Sequence, residues 1–377
     1  MKVEFFKHNI GTEEKESVNK ALDSVFLTSG TVADEFEYDL AHYIGAQYCV
    51  GLMSCTAGLH LSLLALDIGP GDEVITTPMT FVATSMAIIH AGAKPVWVDV
   101  ERETGNINVN LIEGAITEKT KAIIPVHLYG QMCDMKRIRE IADKHRLFVI
   151  EDAAHALESE RENIRVGQLG DAACFSFYAT KSITSGEGGA VTTNSKELAD
   201  KIRILRQHGI NKEAADRYIK EYEHWDLLEL GWKYNMSNIQ AALLIPQIKK
   251  IEQYWKRREQ VYTRYRDAFS DLENIHLPRL YVNAKSGYHL FTIWVDPKKR
   301  DVVMKRLQKK GIGVAVNYRA IHLLTKFKQV FRKRQGSFPV AEGIGDSTIS
   351  LPFYPKLKEY EIDYVIASLK EIVNEHP

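Results

Sequence analysis

Cysteine is scarce in this chain of 377 residues, and its spacing suggests neither a disulfide framework nor a metal site. The four cysteines are Cys49, Cys55, Cys133 and Cys174. A chain of this length does not need disulfides for stability, so we expect reduced and mostly buried thiols in a cytosolic protein. No metal site is expected.

Long apolar runs are also missing. No stretch approaches the roughly 18 apolar residues of a transmembrane helix, and residues 1–17 lack the charged, apolar and small-residue order of a signal peptide. Neither sign of charge is in excess, because 49 basic residues face 49 acidic ones. The composition therefore argues against a nucleic-acid binder and a membrane protein, and it predicts a cytoplasmic location.

Two common nucleotide-binding motifs are absent. No Gly-x-Gly-x-x-Gly motif follows a predicted strand, and there is no Walker phosphate loop. The glycine-rich run at 186–189 is too short for either motif and precedes a predicted strand, so we interpret it as a turn. A nicotinamide dehydrogenase or a P-loop enzyme is therefore disfavoured.

Seven short apolar runs rich in β-branched residues alternate with amphipathic stretches in the first half of the chain. Such runs are typical of strands buried on both faces, so we predict an α/β fold with a mostly parallel seven-stranded sheet and helices on both faces. The predicted strands are 47–53, 73–77, 95–100, 121–128, 147–152, 173–178 and 188–193. Residues 134–145 have the spacing of a helix, with Asp134 as its start signal.

The pattern changes after Lys201, where the run of strands stops. A long helical region is predicted at about 237–270, interrupted or kinked at Pro246. Beyond it we predict strands at 288–296, 313–316 and 348–351 and helices at 301–310 and about 359–373. We therefore expect a large domain over 1–245 and a smaller C-terminal α+β domain over 246–377.

Two ionisable residues lie where open α/β sheets bind ligands. Asp152 ends the predicted strand 147–152, and Lys181 follows the strand 173–178 among small residues and glycines. Pyridoxal phosphate chemistry requires an amine for a Schiff base and an acid that keeps the pyridine nitrogen protonated. Singly, Lys181 would be interpreted as a solvated lysine and Asp152 as a helix cap. Together they predict a pyridoxal phosphate site.

A phosphate site is predicted where the strand 47–53 runs into a helix. Small residues at 54–58 open this helix, and they expose backbone N–H groups and the positive end of the helix dipole to an anion. We expect Thr56 and Ala57 to contact the phosphate and Ser176 to add a hydroxyl group. As an isolated signal this is weak, since many helices begin with a Ser or Thr cap.

Phe81 follows the predicted strand 73–77. Its ring could lie flat on the pyridine ring of the cofactor. The alternative is a core phenylalanine, which is the commoner role for this residue type.

At these residues the chain resembles the DegT-type sugar aminotransferases, which are fold-type I pyridoxal phosphate enzymes. The similar blocks are 27–30, 54–66, 71–84, 125–131, 151–156, 170–189, 204–210 and 231–244. The resemblance implies a homodimer with active sites at the subunit interface, and pyridoxal 5'-phosphate that passes through its pyridoxamine form. It also implies glutamate as amino donor and a nucleotide-linked keto-sugar as acceptor, in amino-sugar, lipopolysaccharide or glycan biosynthesis.

The same resemblance assigns roles around the ring. It implies that Lys181 carries the cofactor, that Asp152 pairs with the ring nitrogen and that His155 lies by the phenolic oxygen. It implies that Asn235 reaches across from the partner subunit. Many relatives have Gly-Tyr-Asn-Tyr-Arg where this chain has Gly-Trp-Lys-Tyr-Asn at 231–235, so Lys233 is an alternative for that role.

Five residues are assigned to the substrate: Ser29, Tyr178, Glu187, Arg319 and His322. Tyr178 stands where relatives often have histidine, and Ser182 where they often have asparagine. Arg319 and His322 are similar to the branch that makes 4-amino-4-deoxy-arabinose on a uridine diphosphate carrier, and an arginine fork suits a diphosphate. The alternative is that Arg319 belongs to a basic surface loop.

Three other functions stay open at this point. In sugar dehydratases of this type a histidine replaces the lysine, which the chain retains as Lys181. A non-catalytic sugar-binding regulator on the same fold would need neither Lys181 nor Asp152. An amino-acid aminotransferase would be expected to present an arginine to the substrate carboxylate, and we cannot assign one. We therefore expect a sugar transaminase.

Overall fold

The computed structural model describes residues 1–212 and 224–375. Its strands are β1 (Tyr48–Leu52), β2 (Glu73–Thr76), β3 (Lys94–Trp97), β4 (Thr120–Ile123), β5 (Phe148–Asp152), β6 (Glu160–Arg161), β7 (Ile164–Arg165), β8 (Ala172–Ser176), β9 (Gly189–Thr193), β10 (Ala284–Lys285), β11 (Phe291–Trp294) and β12 (Thr348–Leu351). Seven of them form the main sheet, in the order β1-β9-β8-β5-β4-β2-β3.

The main sheet is mostly parallel, as predicted. The five strands from β3 to β8 in this order are parallel to their neighbours, while β9 runs antiparallel to both β8 and β1. Every residue of β2 and β9 is buried, because helices cover both faces of the sheet. All seven strands predicted in this half of the chain are confirmed.

The helices are α1 (Thr12–Leu22), α2 (Thr31–Ile44), α3 (Cys55–Ala65), α4 (Val82–His90), α5 (Met135–His145), α6 (Lys196–Leu205), α7 (Asn238–Ile248), α8 (Ile251–Phe269), α9 (Arg300–Lys309), α10 (Thr325–Phe331), α11 (Pro339–Ser347) and α12 (Glu359–Asn374). On one face of the sheet, α2, α5 and α7 pack against side chains such as Val149. On the other face, α3, α4 and α6 pack against Ile150 and its neighbours. No helix in the described part of the chain is long and apolar enough to cross a bilayer.

The predicted helix at 134–145 is confirmed as α5. Asp134 caps it, since its Oδ1 accepts a hydrogen bond of 3.1 Å from the backbone N–H of Arg137. Met135, Ile138 and Ile141 are buried. These apolar residues anchor α5 to the sheet, so β5 begins at a fixed place.

The C-terminal half builds a second hydrophobic cluster. One face of the antiparallel β11–β12 pair packs with α8, α9 and α12. The long helical region is interrupted, as predicted, but the break lies between Ile248 and Ile251 rather than at Pro246, which lies inside α7. The division into domains at 245 stays a prediction, and it falls within α7.

The strand predicted at 313–316 is wrong. Ala315 makes only an isolated bridge to Ser350, while Gly313 donates its N–H to the carbonyl of Val3, 2.9 Å away. The N-terminal residues therefore take the hydrogen bonds of this segment. A short apolar run does not reveal a partner about 300 positions away in the chain.

Candidate active site

A cavity of about 570 Å³ lies at the carboxyl ends of the parallel strands, where open α/β sheets bind their ligands. Eight of the predicted site residues line it: Thr56, Phe81, Asp152, His155, Ser176, Tyr178, Lys181 and Glu187. The described C-terminal half adds wall residues on the other side, among them His289 and Tyr318.

Asp152 is the last residue of β5, and its carboxylate is buried in the cavity wall. Its Oδ2 accepts a hydrogen bond of 2.7 Å from the hydroxyl of Thr84, and its Oδ1 one of 3.2 Å from the N–H of Ala154. Burial raises the pKa of Asp152, although these hydrogen bonds and the charge of Lys181 act in the opposite direction. A cationic partner would therefore stabilise the ionised carboxylate.

Lys181 lies in a turn after β8, in which its backbone N–H bonds to the carbonyl of Tyr178 over 2.9 Å. Burial lowers the pKa of its amine to about 8, while the Asp152 carboxylate acts in the opposite direction. A sizeable fraction of the amine is therefore neutral close to neutral pH. Only the neutral form is a nucleophile.

His155 is the centre of a group of three rings. Its Nε2 lies 3.1 Å from the hydroxyl of Tyr318, and its ring centre lies 4.2 Å from that of His289. Its Nδ1 is buried and has no hydrogen-bond partner among the described residues. Burial lowers the pKa of both histidines well below the usual value, so both imidazoles are neutral.

The N-terminus of α3 forms another wall. Ser54 caps the helix by accepting a hydrogen bond of 3.1 Å from the N–H of Ala57. Of the two residues predicted to contact the phosphate through this helix end, Thr56 lines the cavity and Ala57 does not. The turn at the start of β9 lies against this helix end, because a Cβ on Gly189 would be 2.2 Å from the carbonyl carbon of Ser54. Only glycine permits so close an approach.

Aromatic and acidic side chains form the mouth of the cavity. Phe81 is 58% exposed and Tyr178 47% exposed, which is unusual for large apolar rings in a folded chain. The Phe81 ring lies 5.9 Å from that of Tyr318, and Glu187 is exposed nearby on the wall. These rings are available to a ligand.

Four further predicted residues lie away from the wall. The hydroxyl of Ser29 is buried and accepts a hydrogen bond of 2.9 Å from Gln207. Asn235 donates to the hydroxyl of Thr28 over 3.4 Å. Arg319 is exposed beside Tyr318 without lining the cavity.

His322 is the fourth of these residues, and its position corrects the expected grouping with Arg319. It is fully buried, and its Nε2 lies 2.9 Å from a carboxylate oxygen of Glu342. This pairing turns the imidazole into the apolar cluster around Phe338 rather than toward the cavity. In this chain His322 therefore does not reach the site.

Several wall residues were not predicted from the sequence: Phe5, Cys55, Thr84, His289, Asn317 and Tyr318. His289 had one usable signal, since it interrupts the apolar run of the predicted strand 288–296. Phe5, Asn317 and Tyr318 had no such signal in the sequence, because they reach the cavity only through contacts between distant parts of the chain.

The cavity fits pyridoxal phosphate in charge and in hydrogen-bonding capacity. The buried carboxylate of Asp152 suits a protonated ring nitrogen, and the amine of Lys181 suits a carbonyl carbon. The end of α3 at Thr56 suits a phosphate group. The exposed ring of Phe81 suits an aromatic ring.

The sequence matches the DegT/DnrJ/EryC1/StrS aminotransferase family over residues 8–370. The uncharacterized protein MJ1066 of Methanocaldococcus jannaschii is 45% identical over 98% of this chain and 97% of that protein. The spore coat polysaccharide biosynthesis protein SpsC of Bacillus subtilis is 40% identical over 97% of this chain and 95% of that protein.

Solved structures agree with this match. Spr1654 of Streptococcus pneumoniae, a candidate sugar aminotransferase, is similar in its pyridoxamine-phosphate form with a TM-score of 0.94, 32% identity and 99% coverage of both chains. Its pyridoxal-phosphate form has the same TM-score. Pyridoxal phosphate is therefore the cofactor of this fold-type I enzyme. The chain belongs to the DegT/DnrJ/EryC1/StrS aminotransferase family, and it is a pyridoxal phosphate-dependent sugar aminotransferase.

Proposed function

We propose that the protein moves an amino group from glutamate to a nucleotide-linked keto-sugar, with Lys181 as the residue that binds the cofactor covalently. The observation that carries this proposal is the joint presence of two groups in one cavity of about 570 Å³. They are an amine whose pKa burial lowers to about 8 and a buried carboxylate at Asp152. Transamination requires both.

Each residue of the cavity wall has a separate role in the proposed reaction. When bound, pyridoxal phosphate supplies the electron sink that amino-group transfer requires. Asp152 holds a proton at the ring nitrogen, and the hydroxyl of Thr84, 2.7 Å away, fixes the orientation of the carboxylate. Once the amine of the donor has displaced it, the free amine of Lys181 would remove a proton from the α-carbon of the donor as a general base and pass this proton to the cofactor as a general acid. Thr56 and Ser176 hold the phosphate.

The charges on the wall support a sugar as the acceptor. Among the described residues no arginine lines the cavity, and Lys181 is its one cation, since the two histidines are neutral. The carboxylates of glutamate and the phosphates of the nucleotide carrier therefore have no fixed cation other than Lys181 on the described part of this wall, and its remaining residues concern the sugar part of the acceptor. Tyr178, Glu187 and Tyr318 instead offer donors and acceptors for hydroxyl groups, next to exposed rings. The likeness to SpsC supports a role in surface-polysaccharide biosynthesis.

A homodimer with shared active sites is part of the proposal. Exposed apolar side chains flank the segment that holds Lys233 and Asn235: Leu27, Met53, Trp225, Leu227, Leu228 and Leu230. Hydrogen bonds join these segments, for instance 2.8 Å from Met53 N–H to the carbonyl of Tyr234. Apolar clusters of this kind mark protein interfaces. A second copy placed here brings Asn235 and Lys233 toward its partner's cavity.

The four buried free thiols support a reducing compartment such as the cytoplasm.

The first experiment is a visible absorption spectrum of the purified protein, followed by borohydride reduction and peptide mapping by mass spectrometry. We expect a yellow protein with the pyridoxyl group fixed on Lys181. A panel of nucleotide-linked keto-sugars with glutamate then identifies the acceptor. A label on another lysine would remove Lys181 from its proposed role, and a failure of glutamate to bleach the yellow form would remove glutamate as donor.

A further inference from the structure

Arg258 is a buried arginine on α8 that contacts two segments, each of which leads to a residue of the cavity wall. It is 3% exposed. Its Nη2 donates a hydrogen bond to the carboxylate of Glu158 and another, of 3.3 Å, to the carbonyl of Gly287. One guanidinium group thus joins the segment after β5 to the segment before β11.

The first contact leads to the amine. Glu158 is 1% exposed, and its second carboxylate oxygen accepts a hydrogen bond of 3.3 Å from the hydroxyl of Ser182. Ser182 directly follows Lys181 in the turn after β8. The ion pair between Arg258 and Glu158 therefore anchors the turn from which the Lys181 amine projects.

The second contact leads to the histidines. Gly287 belongs to the segment 286–289, and the ring centre of its last residue, His289, lies 4.2 Å from that of His155 with the rings tilted by 31°. On the same face of α8 as Arg258, Trp255 donates to the carbonyl of Ser286 over 2.7 Å. Tyr262, one helical turn after Arg258, also packs its ring on this segment.

The conformation of the segment 286–289 needs this support. The ring centre of Tyr262 lies 4.8 Å from that of Tyr288, and Tyr288 has a positive φ of 46°. A bulky residue in this region is strained, and it persists only where its surroundings over-determine it. Three side chains of α8, those of Trp255, Arg258 and Tyr262, constrain this segment.

We propose that Arg258 is a positioning residue, which holds the Lys181 turn and the His289 wall in a fixed relation. This inference rests on the proposed role of Lys181 as the residue that binds the cofactor. A buried ion pair is weak evidence for stability, because desolvation offsets much of its attraction. Here Nε and Nη1 of Arg258 are also buried without partners among the described residues, which makes a purely stabilising role poorer still. Both hydrogen bonds come from Nη2, whose planar geometry fixes the directions of its two N–H bonds, whereas the ammonium group of a lysine rotates freely.

The test compares Arg258→Lys with the adjacent Arg257→Lys. Arg257 points away from the site to the carbonyl of Leu357, 2.8 Å away, and to Glu359. The probe is pyridoxal phosphate itself, and the readout is the rate at which the unloaded protein captures it covalently at Lys181, followed by absorbance. We expect R258K to slow capture on the order of 10-fold to 100-fold, the effect of a misplacement of about 1 Å. R257K should match the wild type.

A double variant separates positioning from mere stability. Replacing both members of the pair, in R258M/E158M, removes both buried charges together and should restore the melting temperature that a single replacement lowers. We expect capture by the double variant to stay slow, and the pH midpoint of the absorption change at Lys181 to differ from that of the wild type. If R258K does not fold, the double variant still distinguishes a positioning role from a stabilising one.

Two results would overturn the inference alone. One is an R258K protein that captures the cofactor as fast as R257K. The other is a double variant that recovers the wild-type capture rate together with its melting temperature. If the wild-type protein itself captures no cofactor at Lys181, the proposed role of Lys181 fails and the inference fails with it. These outcomes are distinguishable in a single series of measurements.

Discussion

Lys181 illustrates how surroundings change the chemistry of a side chain. Burial lowers the pKa of its amine from 10.5 to about 8. Because only the neutral amine reacts, we expect the rate of covalent cofactor capture to rise with pH and to reach half its maximum at about pH 8. Stopped-flow absorbance over a pH series measures this rate. A midpoint close to 10.5, the value of an ordinary lysine, would contradict the predicted environment.

Asp152 allows a second prediction at this scale. We expect Asp152→Asn to lower the rate of amino transfer by at least about 100-fold, since a neutral amide no longer stabilises a proton at the ring nitrogen. The cofactor should still bind, more weakly. Steady-state kinetics and equilibrium dialysis measure the two effects. Thr84→Val should have a milder effect, because it keeps the Asp152 carboxylate and removes a 2.7 Å hydrogen bond to it. Transfer by D152N at the wild-type rate would exclude Asp152 from its proposed role.

Local sequence predicted one side of the cavity and missed the other. Asp152 and Lys181 follow apolar strands directly, so their positions at the sheet edge could be derived from the pattern of runs. His289 and Tyr318 approach His155 from more than 130 positions away along the chain. Their contribution depends on how the C-terminal half packs, which no local pattern contains.

At the scale of elements, the cap of α5 allows a direct measurement. Asp134→Ala removes the acceptor of the 3.1 Å hydrogen bond from Arg137 N–H. We expect a loss of about 1 kcal/mol in the free energy of unfolding, measured by urea denaturation. Asp134→Asn keeps a capping oxygen and should lose much less. Equal losses in the two variants would argue against capping as the cause.

Gly130 lies at the junction between His155 and the segment 286–289. Its φ is 99°, and an added Cβ would lie 2.9 Å from the backbone nitrogen of Tyr288. We expect Gly130→Ala to destabilise the fold by about 1–3 kcal/mol and to slow cofactor capture. Gly45→Ala is the control, since Gly45 also has a positive φ but has nothing within 4 Å of the added atom. Gly45→Ala should cause only backbone strain, and the rate of cofactor capture should equal that of the wild type.

The elements were predictable where burial alone defines them. Strands covered on both faces are apolar throughout, so all seven runs in the first half appeared in the sequence. Residues 313–316 have the same apolar character but share their hydrogen bonds with Val3 and Ser350. These residues are only partly buried, and they bond to two different partners instead of pairing along one ladder. The two situations look alike in a sequence.

At the scale of the whole molecule, the exposed apolar side chains near Asn235 predict a dimer that a single charge can break. Leu230 is 81% exposed, so Leu230→Glu should leave the folded chain intact and place an unpaired charge in the interface. We expect light scattering to show a smaller assembly and activity to fall with it. Val282→Glu, at a side chain 93% exposed in the C-terminal half, is the control. A wild-type protein that is monomeric at all concentrations would contradict the proposed interface.

The walls of the cavity come from residues as far apart in the chain as Phe5 and Tyr318. A chain that has folded only its main sheet already has Asp152 and Lys181 but lacks the rings that enclose them. Bound cofactor therefore selects the completely folded form and stabilises it by mass action. In a preparation of this enzyme saturated with pyridoxal phosphate, the yellow colour per unit of protein therefore measures the fraction of molecules that have folded completely.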